Sequence, residues 1–393
     1  MKIGVSVSVV VCASGLAGLA GCGISSDSDD SVSTTQQRVC DDDDKAINAG
    51  EQAFENRAPT GNGRACATCH VEADGFTLKP ANVEAHYNAL PRNDHGEIIS
   101  FHDDELFRKV DADDPDAYPL TFNRLRQGLA SVKIKLPPNV TVDELPGATE
   151  MRLYRAVITI RNVKFTKPYQ SDRRADTLQE QALGAAINHM QVRKEPDKLT
   201  LDNIAAYEED QFSSDRAREL AEQLAAGETP ERADKPYLTG DELAGRDAFN
   251  FRCAGCHGGP TLNDGRIPKH VSRTLAVSIS RLNRAHLPVY TFRFKNPDYT
   301  ETVLRSPDPG RALISGKPDL GTEFEAFDVP TLYGISKTAP YFHDNSSATL
   351  EDVIDLYRQD FAFARKNGSQ FKFVQTDITD DEKRLIVLYL KTL

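Results

Sequence analysis

Apolar residues recur at helical spacing along much of this chain. Leu350, Val353, Ile354 and Tyr357 fall at i, i+3, i+4 and i+7, so they share one face of a helix. Leu201 to Phe212 and Glu382 to Leu393 show the same period and predict two further helices. Ala46 to Asn56 and Thr239 to Asn250 predict another pair. Thr239 with Glu242, and Thr379 with Glu382, have the Thr-x-x-Glu form of a capping box, in which each side chain satisfies the other residue's backbone N–H. The expected class is mainly α. The pattern differs at the start, where an apolar run from Ile3 to Ala20 follows Met1 and Lys2. That run reads as an export signal and is short for a membrane span. From Gly23 to Lys45 the chain is largely Ser, Asp, Thr and Gln with almost nothing to bury, which predicts a solvated, disordered acidic tether.

The second half can be laid over the first. Gly50 and Phe54 answer Gly245 and Phe249. Lys167-Pro168-Tyr169 through Asp172 to Thr177-Leu178 matches Ala339-Pro340-Tyr341 through Asp344 to Thr349-Leu350 at a constant offset of 172. The periodic helices ending near residues 212 and 393 close the two halves. The expected organisation is a signal peptide over 1–21, the tether over 22–45, and two helical domains over 46–235 and 236–393, related by an internal repeat.

Each half carries one copy of CxxCH, Cys66-Ala-Thr-Cys69-His70 and Cys253-Ala-Gly-Cys256-His257. This is the attachment pattern of haem c: two thiols form thioethers with the haem vinyl groups, and the adjacent histidine ligates the iron. Paired CxxC motifs also build zinc sites, but those pairs usually lie roughly 15 to 20 residues apart, whereas these are nearly half the chain apart. A thioredoxin-like redox pair needs a βαβ setting, which neither copy has. The reading is therefore two cytochrome c-like helical domains, each with one covalent haem c held through His70 or His257. The net charge of -12 argues against a nucleic-acid partner and suits a solvated surface or steering of a soluble redox carrier. Leu19-Ala20-Gly21-Cys22 resembles the lipobox of bacterial lipoproteins, which implies acylation of Cys22. The expected location is periplasmic, with membrane contact through a lipid anchor only. An ordinary cleavage site is the alternative.

The offset of 172 pairs Ala185 with Tyr357. The methyl group of Ala185 cannot ligate iron, so the first haem keeps an open sixth position. On periodicity alone Tyr357 reads first as a core tyrosine, with a phenol within reach of the second iron as the other reading. Methionine, a common partner of histidine on electron-transfer haems, occurs only at positions 1, 151 and 190. Without Met151 or Met190 from the other half, the local alternatives for the second iron are Tyr357, His270, His286 and His343.

The two haem sites, the segment Arg174-Ala175-Asp176-Thr177-Leu178-Gln179-Glu180-Gln181-Ala182-Leu183-Gly184, and the run from Val329-Pro330-Thr331 to Thr349-Leu350 resemble the bacterial dihaem cytochrome c peroxidase family and its MauG-like branch. The resemblance spans nearly all of Ala46 to Leu393. It implies that Tyr357 ligates the second iron. It also implies a catalytic distal carboxylate at the position of Gln191, where an amide can hydrogen-bond but cannot transfer the proton that splits peroxide. His189, two residues earlier, is the candidate acid/base in its place, against the alternative of a satisfied core histidine. The tryptophan of many relatives falls at Ser171, which leaves Tyr169 or Tyr341 as a relay. The family's bridging calcium would fall at Thr338 and Pro340, with Ala156 where an asparagine is expected.

The resulting expectation is an oxidoreductase that reduces hydrogen peroxide at the His70 haem, while the His257/Tyr357 haem stores or relays oxidising equivalents. Electrons would come from a redox partner protein or a residue of a protein substrate. Two alternatives stay open: an oxygenase similar to the rubber oxygenases, binding dioxygen at the first haem, and an electron-transfer lipoprotein.

Overall fold

The structure, a computed structural model, describes residues 33–101, 104–263, 274–276, 282–320, 322–366 and 377–393. The export signal, Cys22 and His270 lie outside these residues. The helices are α1 (Ser33–Glu55), α2 (Pro80–Ala89), α3 (Asn123–Arg126), α4 (Leu178–Asn188), α5 (Lys198–Glu209), α6 (Asp215–Ala225), α7 (Gly240–Arg252), α8 (Ala312–Ser315), α9 (Leu350–Lys366) and α10 (Asp380–Leu390).

Two helix pairs follow one plan. At Gly50 a side chain would overlap the Asn203 carbonyl of α5, and at Gly245 it would overlap the Leu385 carbonyl of α10. Glycine at these points lets α1 close on α5, and α7 on α10, backbone to backbone. One turn on, Phe54 packs against Tyr207 with ring centroids 5.2 Å apart, and Phe249 against Tyr389 at 5.3 Å. Both predicted capping boxes form. Thr239 N donates to Glu242 Oε2 at 2.6 Å and Thr379 N to Glu382 Oε2 at 2.8 Å, with each Glu N donating in return to the Thr Oγ1.

The segments leading into α4 and α9 also share local geometry. Tyr169 bridges to Ala175 and Tyr341 to Ser347. Gln170 and Phe342 are left-handed at φ 74° and 73°, and Arg173 and Asn345 at 55° and 56°. Glu180 N then donates to Thr177 Oγ1, and Asp352 N to Thr349 Oγ1, each at 3.1 Å.

Three small antiparallel sheets join this helical frame, and the helical periodicity gives no sign of them. Strands β1 (Leu129–Lys135) and β3 (Glu150–Ala156) pair with Leu129 opposite Ala156 and Lys135 opposite Glu150. Strand β2 (Val140–Val142) pairs with β5 (Tyr290–Lys295), which pairs with β6 (Glu301–Ser306). Strand β4 (Thr274–Ala276) pairs with β7 (Ala326–Asp328). Val132, Ile134, Val140, Met151, Phe292 and Phe294 bury between the first two sheets. Because β2 precedes residue 235 and β5 follows it, this sheet ties the two sequence halves together. Helix α6 crosses the same line: Ala217, Leu220 and Ala221 pack into the cluster of Phe249, Ile386 and Tyr389.

The expected tether needs correction. Helix α1 begins at Ser33, so residues 33–45 are helical rather than disordered. A helix nucleated by the packing of Gly50 and Phe54 lengthens at little cost per residue, and Lys45 adds a surface contact to Asp42 at 3.0 Å. Among the described residues no helix is long and apolar enough to cross a membrane.

Candidate redox site

The two CxxCH motifs open onto one continuous cavity of about 880 Å3, lined by Cys66, Cys69, His70, Cys253, Cys256 and His257. Protein interiors hold few voids larger than a water molecule. A cavity of this size with a mainly apolar wall therefore fits a large planar group at each motif.

Each motif turns on the same bonds. His70 N donates to Cys66 O at 3.0 Å and His257 N to Cys253 O at 2.9 Å. The ring of His70 has Phe76 O at 3.1 Å from Nδ1, and His257 has Leu262 O at 3.1 Å. A carbonyl only accepts, so Nδ1 carries the proton in both rings. That tautomer reserves Nε2 as the metal-binding nitrogen. Both accepting residues are left-handed, Phe76 at φ 61° and Leu262 at 58°, a costly conformation for such side chains. Burial lowers the His70 imidazole to about 4 and also lowers His257, so both rings are neutral, as ligation requires.

The four cysteines are free thiols. Burial pushes Cys69 and Cys256 up to about 11 and Cys253 up to about 12, and raises Cys66 as well. They are therefore protonated thiols in the protein alone. Among the described residues no three His, Cys, Asp or Glu side chains gather as a metal site. Cavity, thiols and histidine tautomers all fit covalent haem.

Ala185 and Tyr357 both line this cavity, on α4 and α9. Tyr357 lies between Phe342 and Phe361, with ring centroids at 5.8 and 5.6 Å. Burial raises its phenol, and Cys256 and Cys253 raise it further. The group is thus a neutral phenol unless a cation such as iron stands beside it. His343, a rival ligand, also lines the cavity but stacks on Phe327 at 3.8 Å. His286 is not on the cavity wall. Met151 is buried in the sheet core, whereas Met190 reaches the cavity.

His189 and Gln191 part company. His189 caps α4 and lines the cavity. Its carbonyl accepts from Asn62 Nδ2 at 3.0 Å and Arg64 Nη1 at 3.4 Å, which fixes it against the segment just before Cys66. Burial lowers its imidazole, and Arg64 and Arg174 lower it further against the pull of Asp111. Gln191 is exposed and off the cavity wall, and its Oε1 accepts from Asn62 Nδ2 at 3.2 Å. The chain turns left-handed at Gln191, φ 52°.

Tyr169, Ser171, Tyr341, Thr338 and Pro340 line the cavity. Thr338 Oγ1 donates to Ile335 O at 3.1 Å. Two features escaped sequence reasoning. One is the buried network in which Arg155 donates to Asp308 at 2.6 and 2.9 Å and to Asp172, while Arg174 reaches Asp172 at 2.8 Å. The other is Glu208, buried on the cavity wall. The repeat held a signal for the second, since Glu208 stands one residue after Tyr207, just as Leu390 follows Tyr389.

No protein-family model matches the chain. In sequence it is 25% identical over 177 residues to a cytochrome-c peroxidase of Denitromonas iodatirespirans, covering 41% of this chain and 42% of that one. It is 27% identical over 161 residues to the cytochrome c551 peroxidase of Nitrosomonas europaea, covering 41% and 36%. The chain thus spans about two-fifths of the curated relatives it matches. Solved structures with similar chains include a MauG-like protein associated with microbial copper homeostasis (TM-score 0.49, 19% identity, 89% and 88% coverage). Another is a diheme peroxidase of Burkholderia thailandensis E264 (TM-score 0.45, 15% identity, 89% and 86% coverage). The paired CxxCH sites and the matches to two cytochrome c peroxidases make this chain similar to the bacterial dihaem cytochrome c peroxidases.

Proposed function

We propose that this protein is a peroxidase-type oxidoreductase of the MauG-like kind, with two unequal haem c centres in two repeated helical domains. The observation that carries the reading is the pairing of Ala185 with Tyr357 at matched points on α4 and α9, both on the cavity wall that holds the CxxCH motifs. Bound haem would supply the one-electron redox chemistry and the site of peroxide reduction, with Ala185 offering no ligand from α4. His70 and His257 would hold the irons through Nε2, each ring fixed by its Nδ1–H bond. Tyr357 would be the further residue holding the second haem, where a hard anionic donor favours oxidised states.

At the first centre, His189 does the proton work. Its neutral imidazole takes a proton from the near oxygen of peroxide and returns it to the departing oxygen, the transfer a carboxylate performs in relatives. Arg64 and Asn62 hold the His189 backbone in place for this. Tyr169 and Tyr341 stand on the cavity wall in the region where Ser171 replaces a relay tryptophan. The reductant is a redox protein or a residue of a protein substrate. We place the protein in the periplasm, tied to a membrane by lipid at Cys22. Calcium at Thr338 and Pro340 has no part in the scheme.

The test is to mix the ferric protein with stoichiometric hydrogen peroxide and follow its absorption spectrum. A rapid change at one haem equivalent is expected. No reaction overturns the proposal, and stable dioxygen binding by the reduced protein would favour the oxygenase reading instead.

A further inference from the structure

Glu208 is a buried ionisable group that the scheme above leaves unused. It lies on α5, 3% exposed, on the cavity wall that also carries Cys66, His70 and Tyr169. Burial and the neighbouring Glu209 carboxylate act on it, with no hydrogen bond or cation to offset them. A carboxylate in such a place is costly.

The second half shows what packing alone requires there. The glycine crossings at Gly50 and Gly245, and the ring pairs Phe54–Tyr207 and Phe249–Tyr389, set α5 on α10. Glu208 then falls opposite Leu390, which is 5% exposed and also lines the cavity. An apolar side chain serves the fold in one half, and a carboxyl replaces it in the other.

We propose that Glu208 is the proton-exchanging residue of the His70 centre, a positioning residue that binds a proton as the centre gains an electron and releases it as the centre loses one. This rests on the reading that haem is bound at His70. A negative carboxylate in a low-dielectric wall stabilises the oxidised centre, and protonation removes that charge when an electron arrives. The electron comes from the reductant of the peroxidase reaction, or from an electrode in a titration. The proton comes from solvent, and the O–H bond of the carboxyl is the bond made or broken.

Burial has pushed this carboxyl up to about 8, within reach of ordinary titration. The charged and titratable groups around it include Glu209 and Tyr207 on the same helix, Glu51 and Glu55 on α1, Glu72 after the first CxxCH, Lys164, Lys167 and Tyr169 from the preceding segment, Glu180 on α4, and Cys66 and His70.

The experiment is a spectroelectrochemical titration of the intact dihaem protein from mildly acidic to alkaline pH, with each haem followed separately. The potential of the His70 haem is expected to change with pH, with a slope of up to about 59 mV per unit, the equivalent of tenfold in proton activity for a one-electron couple. The curve should bend near pH 8, and the His257 haem should show no bend there. Glu208→Gln and Glu208→Leu should abolish the bend, the latter with the side chain already tolerated at Leu390. His189→Gln should keep it. A wild-type potential that is flat across this range, or a bend that survives Glu208→Leu, overturns the proposal. Redox-difference infrared spectra of the wild-type protein give a second reading, in which absence of a carboxyl C=O signal also overturns it. Fewer than two haems per wild-type chain by the pyridine haemochrome assay would instead refute the two-haem reading itself.

Discussion

The division of labour among single residues rests on which side chains reach the cavity. His189 reaches it and Gln191 does not, although two positions separate them. His189→Gln should therefore slow the reaction with peroxide by roughly 100-fold to 10,000-fold, the usual share of a general acid/base. Gln191→Ala should change it by less than about threefold, since surface changes seldom exceed roughly 0.5 kcal/mol; stopped-flow rates decide between them. Tyr357→Phe should alter the spectrum of the His257 haem and raise its potential, and an unchanged spectrum would show a core tyrosine. The haem-binding residues were legible because CxxCH is local chemistry written in consecutive positions. The distal residues were not, because a single left-handed residue redirects the chain after α4 and no periodicity reports it.

At the scale of elements, the helix pairs α1/α5 and α7/α10 depend on glycine where the backbones meet. Gly50→Ala or Gly245→Ala drives a methyl group into a carbonyl of the partner helix. Each should cost roughly 1–3 kcal/mol, seen as a lower Tm. Thr379→Ala removes the cap of α10 and should cost about 1 kcal/mol, measured by denaturant unfolding. Helices α1, α5, α7, α9 and α10 and both capping boxes could be read in advance, since an apolar stripe and a Thr-x-x-Glu start are properties of neighbouring residues; α2, α3, α6 and α8 were not. The sheets could not. Strand β2 is three residues long, and its partner β5 lies far along the chain, so the pairing exists only after folding brings them together.

Across the whole molecule, the two halves are joined by that sheet and by the Arg155 network. Burial works to raise the Asp172 carboxyl, but Arg155 and Arg174 outweigh it and hold it below the ordinary value. A depressed folded pKa contributes stability above the unfolded value, and that stability is lost as pH falls through the folded one. Arg155→Met removes the buried cation shared by Asp308 and Asp172, leaving Asp172 with Arg174, and should cost about 3–5 kcal/mol at neutral pH. The gap between wild type and variant should narrow in acid, as the weakened carboxylates protonate; unfolding curves at several pH values test this. By itself the sequence determined the two CxxCH motifs, the capped helices that flank them and the spacing that pairs Ala185 with Tyr357, because each is carried by short-range pattern or constant spacing. Only the tertiary structure decided that Gln191 faces out, that Glu208 is buried on the cavity wall, and that sheet and ion network bind the halves together. Those outcomes depend on burial and on pairings between distant segments, which no local pattern encodes.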